Sequence, residues 1–331
     1  MKVLITHANG FMGSHLIDLL ITKTNTKIYG LFSPRTPTLK NFKHLKNLSS
    51  KVTLREASCL NSRALQQAVK EIKPDIIYHF ERFTRPGHAW DKPKDAYDLN
   101  VSGTQNLLAS LGGNNKIRVI IESSASIYGN VSQADLPLKE TSPFYLSEVS
   151  GPYEWSVAAQ EAVIRKFIFE QKLNIIVGRS FNIEGPRRRT GFATSDFAYQ
   201  IAMLEFLKDK KSTIKVGNLA ARRDWTDVRD AVKAYYLLSH KGKSGEVYNV
   251  GSGVIKSIND VLTTLLSYSN ITNYQITQDP KLGRPVDIPM LQADDSKLKS
   301  TTGWKPTIAF GQMMEDILED WRERVKIAEY D

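Results

Sequence analysis

The segment Thr6-His7-Ala8-Asn9-Gly10-Phe11-Met12-Gly13-Ser14-His15-Leu16 follows an apolar run at the start of the chain. Glycines where a strand turns into a helix let the backbone approach a pyrophosphate, which then rests on the positive helix N-terminus. Gly10, Phe11, Met12 and Gly13 are therefore candidate cofactor-binding residues. Two arginine clusters, Arg187-Arg188-Arg189 and Arg222-Arg223, offer a second kind of anion chemistry. A guanidinium fork meets phosphate oxygens at two points, so arginines beside a pocket suit a nucleotide diphosphate. Neither cluster is interleaved with aromatic stacking platforms or matches a nucleic-acid-binding motif, so nucleic acid is not the expected partner. The sequence holds no His-Glu-x-x-His, no Gly-x-Ser-x-Gly elbow and no paired metal ligands, so no metal site is expected. Cys59 is the single cysteine, which excludes an internal disulfide and a cysteine-rich metal centre.

The elements that must position these residues alternate. Strand-like runs at Lys2–Thr6, Lys27–Phe32, Val52–Glu56, Asp75–Phe80, Ile117–Ser123 and Asn174–Ser180 are separated by helical patterns at Met12–Thr22, Ser62–Ile72, Ala96–Leu111 and Tyr153–Glu170. That rhythm predicts an α/β fold, a Rossmann-like doubly wound parallel sheet. Beyond Asn182 the rhythm breaks into Gly-Pro and Arg-rich loops, a helix near Asp196–Leu207 and a Pro-punctuated stretch from Asp279 to Pro289, which predicts a smaller C-terminal substrate-binding lobe. The expected division is 1–182, continued by 221–250, for the sheet domain, with 183–220 and 251–331 in the lobe. The 331 residues are 41% apolar and 24% charged, as in ordinary globular chains, and the net charge of +10 favours an anionic partner. No run approaches the eighteen or so apolar residues of a membrane helix, and the N-terminus lacks the regions of a signal peptide, so no membrane association and a cytoplasmic location are expected.

Several further segments, in order, carry a family likeness. They are Asn100-Val101-Ser102-Gly103-Thr104-Gln105-Asn106-Leu107, Ser123-Ser124-Ala125-Ser126-Ile127-Tyr128-Gly129, Val216-Gly217-Asn218-Leu219, Arg223-Asp224-Trp225-Thr226-Asp227-Val228-Arg229-Asp230, Glu246-Val247-Tyr248-Asn249-Val250-Gly251-Ser252-Gly253 and Gly303-Trp304-Lys305-Pro306. With the glycine loop they make the chain, from Met1 to about Trp321, resemble the extended short-chain dehydrogenase/reductases of the NAD-dependent epimerase/dehydratase family, above all the members that reduce GDP-linked keto-sugars. The resemblance implies NADP(H) or NAD(H) as cofactor and a nucleotide sugar, a GDP-hexose, as ligand. It also implies a homodimer built on the helices Ala96–Leu111 and Tyr153–Glu170. By motif, Tyr153 matches the residue that exchanges a proton with the sugar oxygen, Ser124 the residue that holds that oxygen, and Asn100 falls on the cofactor side. Asn182, Arg223 and Arg284 match residues that contact the nucleoside diphosphate, and Gly191–Ala198 resembles a base-binding segment.

The departures from the family pattern are as informative. His7 stands at the first glycine of T-G-x-x-G-x-x-G, where a side chain reaches positive φ only at some cost. Val157 stands four residues after Tyr153, where the family has a lysine that grips the nicotinamide ribose and acidifies the phenol. An unassisted phenol titrates near pH ~10, so holding it as a base at neutral pH costs roughly 4 kcal/mol. After the fourth strand the family's small residues are replaced by Glu81 and Arg82, expected first to pair with each other, then to fill the dinucleotide groove, then to act on substrate. An acid-base role for Glu81 or Glu154 competes with a plain salt bridge or solvated surface. Ser126 replaces the carboxylate a 4,6-dehydratase needs, which favours a keto-sugar reductase or epimerase. The second strand leads into Arg35, which suits the extra phosphate of NADP. His7, Glu81, Arg82 and Val157 all fall on the cofactor or proton-relay side while the sugar-nucleotide segments persist. The expected function is keto-sugar reductase- or epimerase-like with impaired or altered redox chemistry; the alternatives are a non-catalytic nucleotide-sugar-binding or regulatory protein and a non-redox acid-base catalyst.

Overall fold

Val3, Leu4 and Ile5 are sealed from solvent on both faces of the first strand, as a central strand of a parallel sheet must be. The computed structural model describes the chain apart from residues 24–25, 34–43, 208–211, 283–287 and 328–331, so Arg35 and Arg284 lie outside the described residues. Strands β1 (Lys2–Thr6), β2 (Lys27–Phe32), β3 (Val52–Glu56), β4 (Ile76–His79), β5 (Arg118–Ser124), β6 (Asn174–Ser180) and, later in the chain, β10 (Val247–Val250) form one sheet. The order is β3-β2-β1-β4-β5-β6-β10 with every pair parallel. Winding reverses between β1 and β4, and open α/β sheets bind ligands outside the strand ends at such a point. The helices Phe11–Leu20 and Val228–Lys241 cover one face with Leu16, Val232 and Leu238. The helices Ser62–Ile72, Thr104–Ser110 and Pro152–Gln171 cover the other with Leu65, Leu107 and Ile164.

A separate apolar core around Phe197, Leu262 and Trp321 joins the helices Ala193–Leu207, Ile258–Ser267 and Phe310–Lys326. Beside it run a two-stranded sheet of β8 (Ser212–Val216) and β12 (Tyr274–Gln278), and a three-stranded sheet of β7 (Asn182–Glu184), β9 (Arg222–Asp227) and β11 (Ile255–Ser257). The helix Ile258–Ser267 starts at a reciprocal cap: Ser257 Oγ accepts from Asp260 N at 3.0 Å, and the Asp260 carboxylate accepts from Ser257 N at 2.7 Å. Ser257→Ala is expected to lower stability by about 1 kcal/mol, read from denaturant unfolding.

One predicted element is built differently. The expected helix Ala96–Leu111 is divided into Pro93–Tyr97 and Thr104–Ser110 by a wide π-type turn at Asp98–Gly103. In that turn the fully buried Asn100 accepts from Phe83 N and donates to Ser156 Oγ, both at 2.8 Å. The extra residue in the turn lets Asn100 tie the segment after β4 to the Tyr153 helix, a use of π turns that recurs beside functional sites.

Candidate active site

At the end of β1 the chain makes the turn that the glycine pattern predicts. Gly10 N donates to His7 O at 2.8 Å, and His7 has φ 52°. A methyl group on Gly13 would stand 2.3 Å from His7 O, so the helix Phe11–Leu20 can dock on β1 only with glycine there. Gly10 differs: a methyl there would lie 2.5 Å from His7 Nδ1, so the imidazole itself lies on the face that glycine leaves open. His7 Nε2 is buried without a hydrogen-bond partner, and burial pushes the imidazole pKa down. His7→Gly is expected to change stability by no more than about 1 kcal/mol, release of the left-handed backbone being offset by unfolded-state entropy. A larger loss in thermal or denaturant unfolding would show that the ring's packing on Gly10 dominates.

Tyr153 lies in the first turn of the helix Pro152–Gln171, which opens with proline at a position where the missing N–H is harmless. The phenol is 3% exposed and lines the cleft with Ser124 and Glu154. Val157, four residues on, is fully buried in an apolar cluster with Ala96, Ala125 and Ile127. Arg82, just beyond β4, brings a cation to the phenol: Nη2 donates to the Tyr153 hydroxyl, and Nη1 stands 3.6 Å from Glu122 Oε1. Both charged side chains are under one-tenth exposed, and Arg82 Nε has no hydrogen-bond partner. Burial pulls the guanidinium pKa down, but Tyr153 and Glu122 outweigh it and hold the group above its ordinary value. The Glu122 carboxyl is pushed up by burial, against Arg82 and a hydrogen bond with Ser180.

The expected pairing of Glu81 with Arg82 is not found. Glu81 accepts from Ser58 Oγ at 2.7 Å and from Cys59 N at 3.0 Å, while Arg82 faces Tyr153 and Glu122. The chain leaves β4 at His79 and bends at Arg82, and the two charges part rather than meet. Glu81 is thus held beside Cys59 and away from Tyr153. Asn100 spends its amide on Phe83 and Ser156, as described above.

On the opposite wall, Asn182 on β7 and Arg223 on β9 line the cleft. Arg223 Nη1 also donates to Arg222 O at 2.9 Å. The loop after β7 adds residues that the motif reading did not separate. Arg187 pairs with Asp18 at 2.7 Å and pins the loop to the N-terminal helix. Arg188 lies over the rings of Phe192 at 3.6 Å and Phe11 at 4.5 Å, with Nε 3.5 Å from Glu184. Glu184 in turn accepts from Thr194 Oγ1 at 2.7 Å. Arg82, Arg187, Arg188, Arg189 and Arg223 thus line a cleft that also holds three glutamates, an excess of positive charge suited to an anionic ligand. Glu122 was missed in sequence, although an acid inside Arg118-Val119-Ile120-Ile121-Glu122 is a visible irregularity in a buried strand. Among the described residues no cluster of three or more metal-ligating side chains occurs, and no helix is long and apolar enough to cross a membrane.

A doubly wound sheet with a glycine loop at its switch point, a serine and a tyrosine on one cleft and a second lobe beside it is the arrangement of the NAD-dependent epimerase/dehydratase group of short-chain dehydrogenase/reductases. Within it, the chain belongs to the GDP-mannose 4,6-dehydratase family, whose sequence pattern matches residues 4–317. It is 31% identical over 255 residues to GDP-6-deoxy-D-mannose reductase of Pseudomonas aeruginosa, covering 76% of this chain and 82% of that protein. It is 26% identical over 342 residues to the GDP-mannose 4,6 dehydratase of Cricetulus griseus, covering 96% and 90%. The structure of RMD from Pseudomonas aeruginosa complexed with NADPH superposes with a TM-score of 0.81 at 26% identity, over 98% of this chain and 99% of that one.

Proposed function

We propose that this chain binds a GDP-hexose and that its keto-sugar chemistry, reductase- or epimerase-like, does not run through the family's ordinary tyrosine–lysine hydride relay. The observation that carries this reading is the Arg82 guanidinium on the Tyr153 hydroxyl, at the strand end where the resemblance puts small residues against the nicotinamide. The His7 ring on the open face of Gly10 supports it from the phosphate side, and Val157 in its apolar cluster supports it from the ribose side. These residues do not fit NADP(H) or NAD(H) seated in the family's manner, although the fold has neighbours solved with such cofactors. The sugar-nucleotide wall, with Asn182, Arg189 and Arg223, supports the reading by keeping the side chains a diphosphate needs. The GDP-sugar names of the relatives favour guanine as the base. A cytoplasmic homodimer with the two-lobed division expected above belongs to the same reading.

Calorimetric titration with GDP-mannose and with NADPH tests it. GDP-mannose is expected to bind and NADPH to bind far more weakly, with His7→Gly strengthening NADPH binding. Tight NADPH binding by the unaltered protein, with oxidation of NADPH on a GDP-4-keto-sugar, would overturn the reading.

A further inference from the structure

Arg82 offers the cleft more than a cation for Tyr153. Its Nε–H is buried and unpartnered, on a side chain that is 5% exposed and lines the cleft. A buried donor left without an acceptor costs about 1–3 kcal/mol, so a ligand oxygen arriving there gains from pairing with it. The neighbouring phenol oxygen accepts from Arg82 Nη2, which leaves the phenol's own proton to donate elsewhere. Ser124 Oγ accepts from Ser126 N at 3.2 Å and likewise keeps its proton. Three donors on one side of the corner suit a carbonyl oxygen on which negative charge develops. Glu122 completes the corner, anchored to Arg82 and lining the same cleft.

We propose that Arg82, Tyr153 and Ser124 form a carbonyl-binding site and that, with Glu122 as base, the cleft exchanges the hydrogen on the carbon next to the ketone of a nucleoside-diphosphate keto-sugar without a hydride donor. The inference rests on the GDP-hexose reading above. Glu122 takes the proton from that carbon, and the C–H electron pair becomes the C=C bond of an enol. The carbonyl π pair takes the Tyr153 proton, and the phenolate left behind pairs with Arg82. Returning both protons restores every group with nothing oxidised or reduced, and a solvent proton on Glu122 in place of the one it took labels the carbon. A carboxylate raised by burial is a stronger base than an exposed one, which fits Glu122 to the task.

The test is deuterium uptake by GDP-4-keto-6-deoxymannose in D2O with no nicotinamide present, followed by proton NMR, alongside calorimetry with GDP-mannose. Exchange at the carbons flanking the ketone is expected to exceed the buffer rate by about 100-fold or more, the usual scale of positioned acid-base catalysis. Tyr153→Phe and Glu122→Gln should each remove most of that gain while leaving GDP-mannose affinity within about 3-fold, because neither is assigned to the diphosphate. Arg82→Met leaves Glu122 buried without its guanidinium partner, so it is compared with the Arg82→Met/Glu122→Gln pair, which removes both charges. Arg82→Lys should retain more exchange than Arg82→Met. Binding of GDP-mannose without exchange above buffer, or exchange that survives Tyr153→Phe and Glu122→Gln, overturns the inference and leaves the GDP-hexose reading standing. Failure to bind GDP-mannose overturns both.

Discussion

Val157→Lys, the substitution that restores the family's lysine spacing, is expected to destabilise the protein by about 3–5 kcal/mol and to give no hydride transfer. Val157 is fully buried among Ala96, Ala125 and Ile127, so an ammonium group arriving there leaves water for an apolar surround. The partner it needs is already engaged, because Arg82 donates to the Tyr153 hydroxyl and stands beside Glu122. Two cations would compete for one phenol and one carboxylate. The paired substitution Arg82→Ala/Val157→Lys should therefore be more stable than the sum of its parts, by a coupling of about 1–3 kcal/mol, since removal of the guanidinium frees both acceptors. Chemical denaturation of the two single variants and the double variant closes the cycle. A Val157→Lys protein as stable as the parent and active with NADPH would mean that Arg82 does not hold the place a lysine would take.

The same corner shows what was legible in the sequence. The strand run Lys2–Thr6 and the glycines after it identify themselves, because burial on both faces and a tight strand-to-helix turn leave local signatures. Tyr153 and Ser124 were found by motif, and the fold brings both to one cleft. The destination of a long side chain is different in kind. Glu81 and Arg82 are adjacent in the chain, and only the bend after β4 sends one to Cys59 and the other to Tyr153, 71 residues away. The wide turn at Asp98–Gly103 is equally hidden, since its helical periodicity gives no sign that Asn100 will reach Phe83 and Ser156. Arg188 belongs to an arginine cluster whose residue type suits phosphate, but half of its seat is Phe11, which comes from a distant segment and joins the local Phe192 only in the fold.

Acidification from pH 7 to 4 is expected to cost the protein much of its stability, with His79 a principal cause. His79 ends β4, three residues before Arg82, and is sealed between Thr6 Oγ1 at 3.0 Å from Nδ1 and Thr104 Oγ1 at 3.2 Å from Nε2. Burial, with the nearby Arg82 charge adding to it, pushes its pKa down to about 3. The unfolded chain takes up a proton near pH ~6.5, whereas the folded chain refuses it until about pH 3, so the unfolded state holds more protons throughout that window. Stability then falls with pH by about 1.4 kcal/mol per unit, or about 2 kcal/mol at pH 5 and about 3 kcal/mol at pH 4. His15, lowered by burial and then by Arg187, acts in the same direction. Glu122 and Glu184 act in the opposite one: burial raises their folded pKa values, so acidification through that range relieves a strain present at neutral pH. The His79 contribution is isolated by difference. His79→Gln keeps a group able to meet both threonines but cannot titrate, so its unfolding free energy should fall less steeply between pH 6.5 and 4 than that of the parent. Parallel curves for the two proteins would show that His79 takes its proton in the folded state, and that the end of β4 holding Arg82 is open to water rather than sealed.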